Sequence, residues 1–264
     1  MRSILFLMLI TPSLFFGQEF NIHGPFSGLK NGNYHLFGDN VKFRTAPDPD
    51  SEVIGLLKFG EEVEITAKTL VKSSFNGIEY PFYKVKYEGQ EGYINGGLLS
   101  PEKVSTEKNN YLFSLKKNDY EYFLILRYLD SHNEIKEIET ALYTNEFTIK
   151  TYNNKGLEGV EEIIYIDYFA EACGVNGGGI YFFRIKDTLS KVIEITQISD
   201  AGVFWNFEEL IFPDDENGVS GKIIFEHEKG IYKDEEGSWM QITKNIMQLE
   251  WKNGKLSPLP NIYE

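Results

Sequence analysis

The stretch VKFRTAP at residues 41–47 decides the fold of this chain, because further β-type runs follow it in a regular order. They read VIGLL at 53–57, GEEVEI at 60–65, FYKVKY at 82–87 and GYI at 92–94. Within 63–65 and 83–87 every second residue is apolar, which gives a strand one face toward a core and one toward water. Turn residues separate the runs, such as Asp-Pro-Asp-Ser after Pro47. We therefore predict a small barrel of antiparallel strands over residues 33–100.

This succession resembles the bacterial SH3 family, which has an N-V-R-x-x-P opening, a V-I-G-x-L-x-x-G hairpin, an aromatic-x-K-V strand and a G-Y-V close. Here the hairpin motif lies at 53–60, the aromatic strand at 82–85 and the close at 92–94. The resemblance covers about a quarter of the chain. It implies a recognition module. It also places a basic residue, Arg44, after the first strand, and we interpret this arginine as a donor to nearby backbone carbonyls.

The N-terminus predicts export. Residues 1–17 combine Arg2, an almost wholly apolar run over 3–16 and the small residue Gly17, which is the pattern of a secretory signal peptide. The apolar run is shorter than the roughly 20 residues that span a bilayer. We therefore expect a periplasmic or secreted protein that does not stay inserted in the membrane. Residues 18–32, rich in Gly and Asn, predict a leader loop.

Charge and cysteine content exclude several function classes. The chain has 26 basic and 40 acidic residues, a net charge of −14, and no basic cluster of the kind that binds a phosphate backbone, so no nucleic-acid partner is expected. Its single cysteine, Cys173, forms no internal disulfide, so the fold depends on burial. The glycine run at 174–179 lacks the context of a nucleotide motif, and no cofactor is predicted.

Residues 108–260 predict a second, larger all-β domain, after a polar linker at 101–107. Turn residues separate most of its β-type runs, and the spacing suits an antiparallel sandwich or barrel. Consecutive hairpins near the C-terminal end leave an incomplete, propeller-like set of repeats as the alternative. The runs are 111–115, 121–128, 135–143, 147–152, 163–169, 179–185, 192–198, 203–212, 222–227 and 240–251.

A ligand site is predicted on the insertion at residues 68–80, whose tip carries an Asn-Gly turn signal. Loops at one rim of a small barrel are free to make contacts, and apolar area mixed with polar groups suits a peptide, a peptidoglycan fragment or an envelope protein. We place the site between this insertion and the turn at 45–51. The alternative is that Phe75 and Tyr80 pack the insertion against the second domain. The candidate residues are Phe75, Asn76, Glu79, Tyr80 and Phe82.

Cys173 and His227 offer an enzymatic alternative. Their interval resembles that of NlpC/P60 cysteine peptidases, which cut cell-wall peptides. That chemistry requires the thiol at a helix N-terminus, where its pKa is lowered. The glycine-rich stretch after Cys173 has poor helix propensity. We therefore predict an inert cysteine and a non-catalytic binding protein, with the peptidase as the alternative.

The stretch DDEN at residues 214–217 gathers oxygen ligands of the kind that Ca²⁺ prefers. Its spacing is not that of an EF-hand loop. We predict an acidic turn before Gly218, and no metal site.

Overall fold

The computed structural model describes residues 20–23, 28–170, 172–200, 203–233 and 239–260. The predicted signal peptide, residues 1–17, lies outside these ranges. The described residues contain strands and one 3-10 turn, Gly96–Leu98, but no α-helix. The strands are β1 Phe20–His23, β2 Gly32–Leu36, β3 Val41–Arg44, β4 Val53–Leu57, β5 Glu62–Phe75, β6 Ile78–Tyr87, β7 Gln90–Asn95, β8 Leu99–Ser100, β9 Lys103–Ser105, β10 Asn110–Asn118, β11 Glu121–Leu129, β12 Ile135–Leu142, β13 Glu146–Tyr152, β14 Glu162–Tyr168, β15 Gly179–Ile185, β16 Thr188–Ile195, β17 Gln197–Asp200, β18 Phe204–Ile211, β19 Ile223–Tyr232, β20 Met240–Lys252 and β21 Lys255–Ser257.

Strands β2 to β8 form one curled antiparallel sheet, in the order β4-β3-β7-β6-β5-β2-β8. We call it the barrel. Its core contains Val63, Ile65, Tyr83, Val85 and other apolar residues of the inward face. The residues between them, Glu64 and Lys84 among others, point outward, so the alternation read from the sequence is confirmed.

The rest of the chain forms three antiparallel meanders. Meander 1 contains β9 to β12, meander 2 contains β13 to β16 with β1 added at its edge, and meander 3 contains β17 to β21. The prediction of a second antiparallel β region is confirmed. It consists of consecutive four- and five-stranded antiparallel sheets, and the choice between a sandwich or barrel and propeller-like repeats stays a prediction.

Meander 2 is buried on both faces. Ile164, Ile166 and Phe182 pack toward meander 1. Tyr165 and Phe183, which alternate with them, pack toward meander 3. Because successive side chains of a strand point to opposite faces, strands with almost every residue buried can serve two cores at once. The meanders are therefore stacked in the order of the chain.

The barrel packs on the outer face of meander 1. Phe37, Leu112 and Ile125 form a small core between the two, each at most 5% exposed. Arg127 donates from Nη1 to the carbonyl of Phe37 at 3.0 Å, and its guanidinium lies 4.4 Å from the Phe37 ring centroid. Ser114 donates from Oγ to the carbonyl of Gly97 at 3.2 Å. Polar and apolar contacts thus join the barrel to the meanders.

Two short segments differ from the prediction. Within the expected leader loop, Phe20–His23 forms strand β1, which pairs with β13. Within the expected linker, Lys103–Ser105 forms β9, and Val104 is fully buried. Each strand has three or four residues, too few to produce a periodic signal, and each is held by the longer strand beside it.

Candidate functional site

The insertion at residues 68–80 forms the outer part of the β5–β6 hairpin, which we call the arm. Its tip is the predicted Asn-Gly turn, with φ of 52° at Asn76 and 75° at Gly77. These are the positive values that a tight two-residue hairpin turn requires. The carbonyl of Asn76 accepts a hydrogen bond of 2.8 Å from the Lys117 N–H, so the tip is docked on meander 1.

Of the five predicted site residues, Phe82 is buried, three are half-buried and one is exposed. Phe75 and Tyr80 both pack closely over Gly97, and burial raises the pKa of the Tyr80 hydroxyl to about 12. Phe82 is 3% exposed, so this candidate lies in the interior and not on a loop surface. Of the five candidates only Glu79 is exposed. Phe75 also packs on Leu112 and Ile125 of meander 1, and Tyr80 packs on the core between meanders 1 and 2, as the alternative expected. Ligand binding by these residues stays a prediction.

The sequence predicts that the arm and the turn at 45–51 lie on one rim of the barrel. Strand register instead places them at opposite ends of the sheet. Arg44 pairs with Tyr93, and because β3 and β7 are antiparallel, the chain after Arg44 runs toward the β6–β7 turn. The arm leaves the sheet at the opposite end, where Phe82 pairs with Asn95. Arg44 itself donates from Nη1 to the carbonyl of Ser51 at 2.5 Å, which confirms its predicted role.

A larger concave site lies where the barrel meets meanders 1 and 2. This junction cleft has a volume of about 920 Å³. Such clefts between packed units are common ligand sites. Three groups of residues line it: His35, Phe59 and Glu61 from the barrel, Lys103, Lys108 and Leu129 from meander 1, and Arg184, Lys186 and Asp187 from the β15–β16 turn region.

No local pattern in the sequence indicates this cleft. Lys103 and Lys108 fall in or beside the predicted linker, Lys186 lies in an ordinary hairpin turn, and His35 is far from all three along the chain. Only the packing of the barrel on the meanders brings these residues together. Clustering of this kind depends on tertiary contacts, which periodicity does not report.

The lining of the cleft is close to neutral in a strongly acidic chain, because Lys103, Lys108, Lys186 and Arg184 balance four acidic residues, Glu61, Asp130, Glu161 and Asp187. Its three lysines, Lys103, Lys108 and Lys186, form no ion pair with any carboxylate of the described residues. Two acidic residues of its wall, Asp130 and Asp187, are already engaged. The Glu134 N–H lowers the pKa of Asp130, which also pairs with Lys136 at 3.1 Å.

Asp187 accepts hydrogen bonds of 2.8 Å from both the N–H and the hydroxyl of Ser131, and the hydroxyl bond is the main cause of its lowered pKa. Burial, and then the neighbouring Lys103, lower the pKa of His35, against the opposing effect of Glu62. His35 is therefore neutral at pH 7. The lysines carry positive charge without an ion pair, and at the same wall Glu61 and Glu161 form no ion pair with the described residues either.

Cys173 lies in a turn beside a smaller pocket of about 380 Å³. Gln197 and Phe207 line this pocket and pair across β17 and β18, so they share a face of meander 3. His227 pairs with Glu208, the next residue, and therefore points to the opposite face. Its Nε2 lies 2.7 Å from Asn206 Oδ1. The thiol–imidazole contact that the peptidase alternative needs is not formed in this arrangement.

The buried carboxyl of Glu208 should make the free energy of unfolding depend on pH. The residue is 1% exposed, and burial raises its pKa, although a hydrogen bond from the Thr196 N–H and the nearby His227 act in the opposite direction. A carboxyl with a raised folded-state pKa stabilises the fold below the pKa of the unfolded chain, and this contribution is lost as the pH rises through the folded-state pKa. Glu208→Gln should therefore gain stability relative to the parent protein as the pH rises above about 4.5.

Urea unfolding at a series of pH values measures this difference. The matched control is Glu209→Gln, because Glu209 is the next residue and is exposed on the other face. Equal pH profiles for the two variants would contradict the assignment to Glu208.

The acidic stretch at 214–217 is a turn whose central carboxylate is used by the protein. Asp215 Oδ1 pairs with Lys155 Nζ at 2.6 Å, and its Oδ2 accepts from the Phe212 N–H at 2.9 Å. The Gly218 N–H donates to the Asp215 carbonyl at 2.9 Å and closes the turn. Among the described residues no group of three or more metal-ligating side chains occurs.

Comparison with known proteins identifies the barrel. Residues 39–100 match the family model of the bacterial SH3 domain, which confirms the resemblance read from the sequence. Such a domain indicates a module that binds cell-wall or peptide ligands, and domains of this family are typically extracytoplasmic. No curated protein and no solved structure matches the chain significantly. Over the described ranges, none of the secondary structure is a helix with the length and apolar character to cross a membrane.

Proposed function

We propose that the protein is an exported, non-catalytic binding protein of the bacterial cell envelope, which recognises a peptide, a cell-wall fragment or an envelope protein. The observation that carries this proposal is the junction cleft, a concave site bordered by the bacterial SH3 barrel on one side and by the meanders on the other. The N-terminal pattern of residues 1–17 supports export.

The geometry of the cleft supports binding by the whole chain. The barrel contributes Phe59 and His35, whereas the lysines come from residues outside the family match. Phe59 supplies apolar area, and the lysines and the Asn109 and Asn110 side chains supply polar groups that orient a ligand. This mixture suits a peptide or a peptidyl fragment of the cell wall.

Filling the cleft with a larger side chain should weaken binding. Leu129 lines the cleft and is 40% exposed, so Leu129→Trp places a large ring in the site without disturbing the core. We expect affinity for the ligand to fall at least about tenfold, which is 1.4 kcal/mol. Co-sedimentation with purified cell-wall sacculi and calorimetry with soluble muropeptides measure the effect on the mature chain.

The matched control is Leu56→Trp, because Leu56 is 57% exposed on β4 and does not line the cleft. If Leu129→Trp binds normally and Leu56→Trp does not bind, the ligand site lies at the β4 edge of the barrel and not in the cleft. Mass spectra of the muropeptides after incubation also test the peptidase alternative, since cleavage that Cys173→Ala abolishes would contradict a non-catalytic role.

A further inference from the structure

Arg184 lies at the cleft, at the end of β15, with few of its hydrogen-bonding groups used. Its side chain is 3% exposed, and a guanidinium carries five N–H donors. Among the described residues it makes one hydrogen bond, from Nη1 to the Tyr111 hydroxyl at 3.2 Å. Its buried Nε has no acceptor there. Buried polar groups are normally satisfied, so this arginine has spare donors at a concave site.

The neighbouring carboxylate does not use these donors. Glu162 Oε1 stands 3.8 Å from Arg184 Nε, which is beyond a hydrogen bond. The same oxygen accepts hydrogen bonds from Asn109 Nδ2 at 2.7 Å and from the Tyr111 hydroxyl. Glu162 therefore neutralises part of the charge of Arg184 and leaves most of its N–H groups free.

Aromatic rings fix the orientation of Arg184. Its guanidinium carbon lies 4.6 Å from the Tyr128 ring centroid and 5.9 Å from that of Tyr111. The Tyr128 hydroxyl accepts from the Leu189 N–H and donates to the Asp187 carbonyl, both at 3.1 Å, so this ring is held in place. A guanidinium held in this way is pre-organised, which lowers the entropy cost of binding a planar anion.

We propose that the junction cleft binds a carboxylate of its ligand, seated against Arg184 and attracted by Lys103, Lys108 and Lys186. The planar guanidinium matches the two oxygens of a carboxylate, and the three lysines have no ion-pair partner among the described residues. The inference rests on the proposed function, because it names the chemical group recognised in the same cleft. The ligand class is a peptide or peptidyl fragment with a free carboxylate.

Nuclear magnetic resonance of the arginine side chains tests this directly. The chain contains only four arginines, Arg2, Arg44, Arg127 and Arg184, so their Nε–Hε signals are few. The probes are N-acetylglutamate and its diamide. We expect the dicarboxylate to shift the Arg184 signal and to bind at least about tenfold more tightly than the diamide. Arg127, whose Nε already donates to Glu137 at 2.7 Å, is an internal control and should not shift.

Substitution of the lysines provides a second measurement. Lys103→Gln with Lys186→Gln should weaken binding of N-acetylglutamate about tenfold, whereas Lys229→Gln, at an exposed lysine of meander 3, should not. No shift of Arg184, or equal shifts with acid and diamide, would overturn the inference.

The two proposals fail in different ways. Cell-wall fragments that bind in the cleft equally well with free and amidated carboxylates would reject the carboxylate site and retain the proposed function. A specific response of Arg184 to N-acetylglutamate, without binding of any cell-wall fragment or peptide, would reject the proposed function and retain the carboxylate site.

Discussion

Gly77→Ala should destabilise the protein by about 3–5 kcal/mol, although it adds a single methyl group at a hairpin tip. A Cβ at this position would lie 2.1 Å from the carbonyl oxygen of Lys117, which belongs to the backbone of β10 and cannot move aside cheaply. The tip would have to undock, with loss of the hydrogen bond from the Lys117 N–H to the Asn76 carbonyl. The packing of Ile78, which is 2% exposed, would be lost with it. Urea unfolding measures the change.

Gly89→Ala is the matched control. Gly89 occupies the same position in the β6–β7 hairpin turn, with φ of 85° against 75° at Gly77, and a Cβ there would meet nothing within 4 Å. Its cost should be only that of the left-handed backbone, roughly 1–2 kcal/mol. The difference between the two variants therefore isolates the docking contact. Equal losses of stability would show that the arm is not held at its tip.

The docking of the arm on meander 1 could not be predicted from the local sequence. An Asn-Gly turn flanked by aromatic residues looks the same in sequence whether its hairpin meets solvent or a second sheet. The sequence allows Phe75 and Tyr80 to be either surface groups or packing groups, and their contacts with the cores of the meanders decide for packing. The residues of meander 1 that they contact, Leu112 and Ile125 among them, are distant along the chain, and no local pattern links them to the arm.

Most of the strands could be predicted because their signals are local. Alternation at Val63, Ile65, Tyr83 and Val85 specifies one buried face, and the structure has that face in the barrel core. In meander 2 the runs of apolar residues around Ile164 and Phe182 also predicted strands. The sequence did not show that both faces of these strands are buried, since that depends on the sheets packed on either side.

The candidate site could not be predicted, for a related reason. In the sequence Arg184 is one polar residue near the end of a β-type run, and its neighbours Glu162 and Tyr111 lie on other strands. Sequence periodicity separates apolar residues from polar ones. It does not show whether a polar residue is exposed or is buried beside a partner, so a buried charge is recognised only once its partners are known. The junction of barrel and meanders creates both the burial and the cleft.

Glu162→Leu should destabilise the protein by about 3–5 kcal/mol, because it leaves the charge of Arg184 buried without its counter-ion. Both side chains are at most 4% exposed. Arg184→Met should cost a similar amount, since it leaves the Glu162 carboxylate buried. The double variant removes both charges and should be at least about 2 kcal/mol more stable than the sum of the single changes predicts. Chemical unfolding of the four proteins completes the cycle.

The exposed pair Lys116–Glu139, joined at 2.9 Å across meander 1, is the control cycle. Its side chains are 30% and 36% exposed, so water screens the interaction and its coupling should be under about 1 kcal/mol. Equal couplings for the two pairs, or additive losses at Glu162 and Arg184, would mean that the cleft is wet enough to solvate Arg184. In that event its free N–H groups would be satisfied by water, and they would not be held ready for a ligand carboxylate.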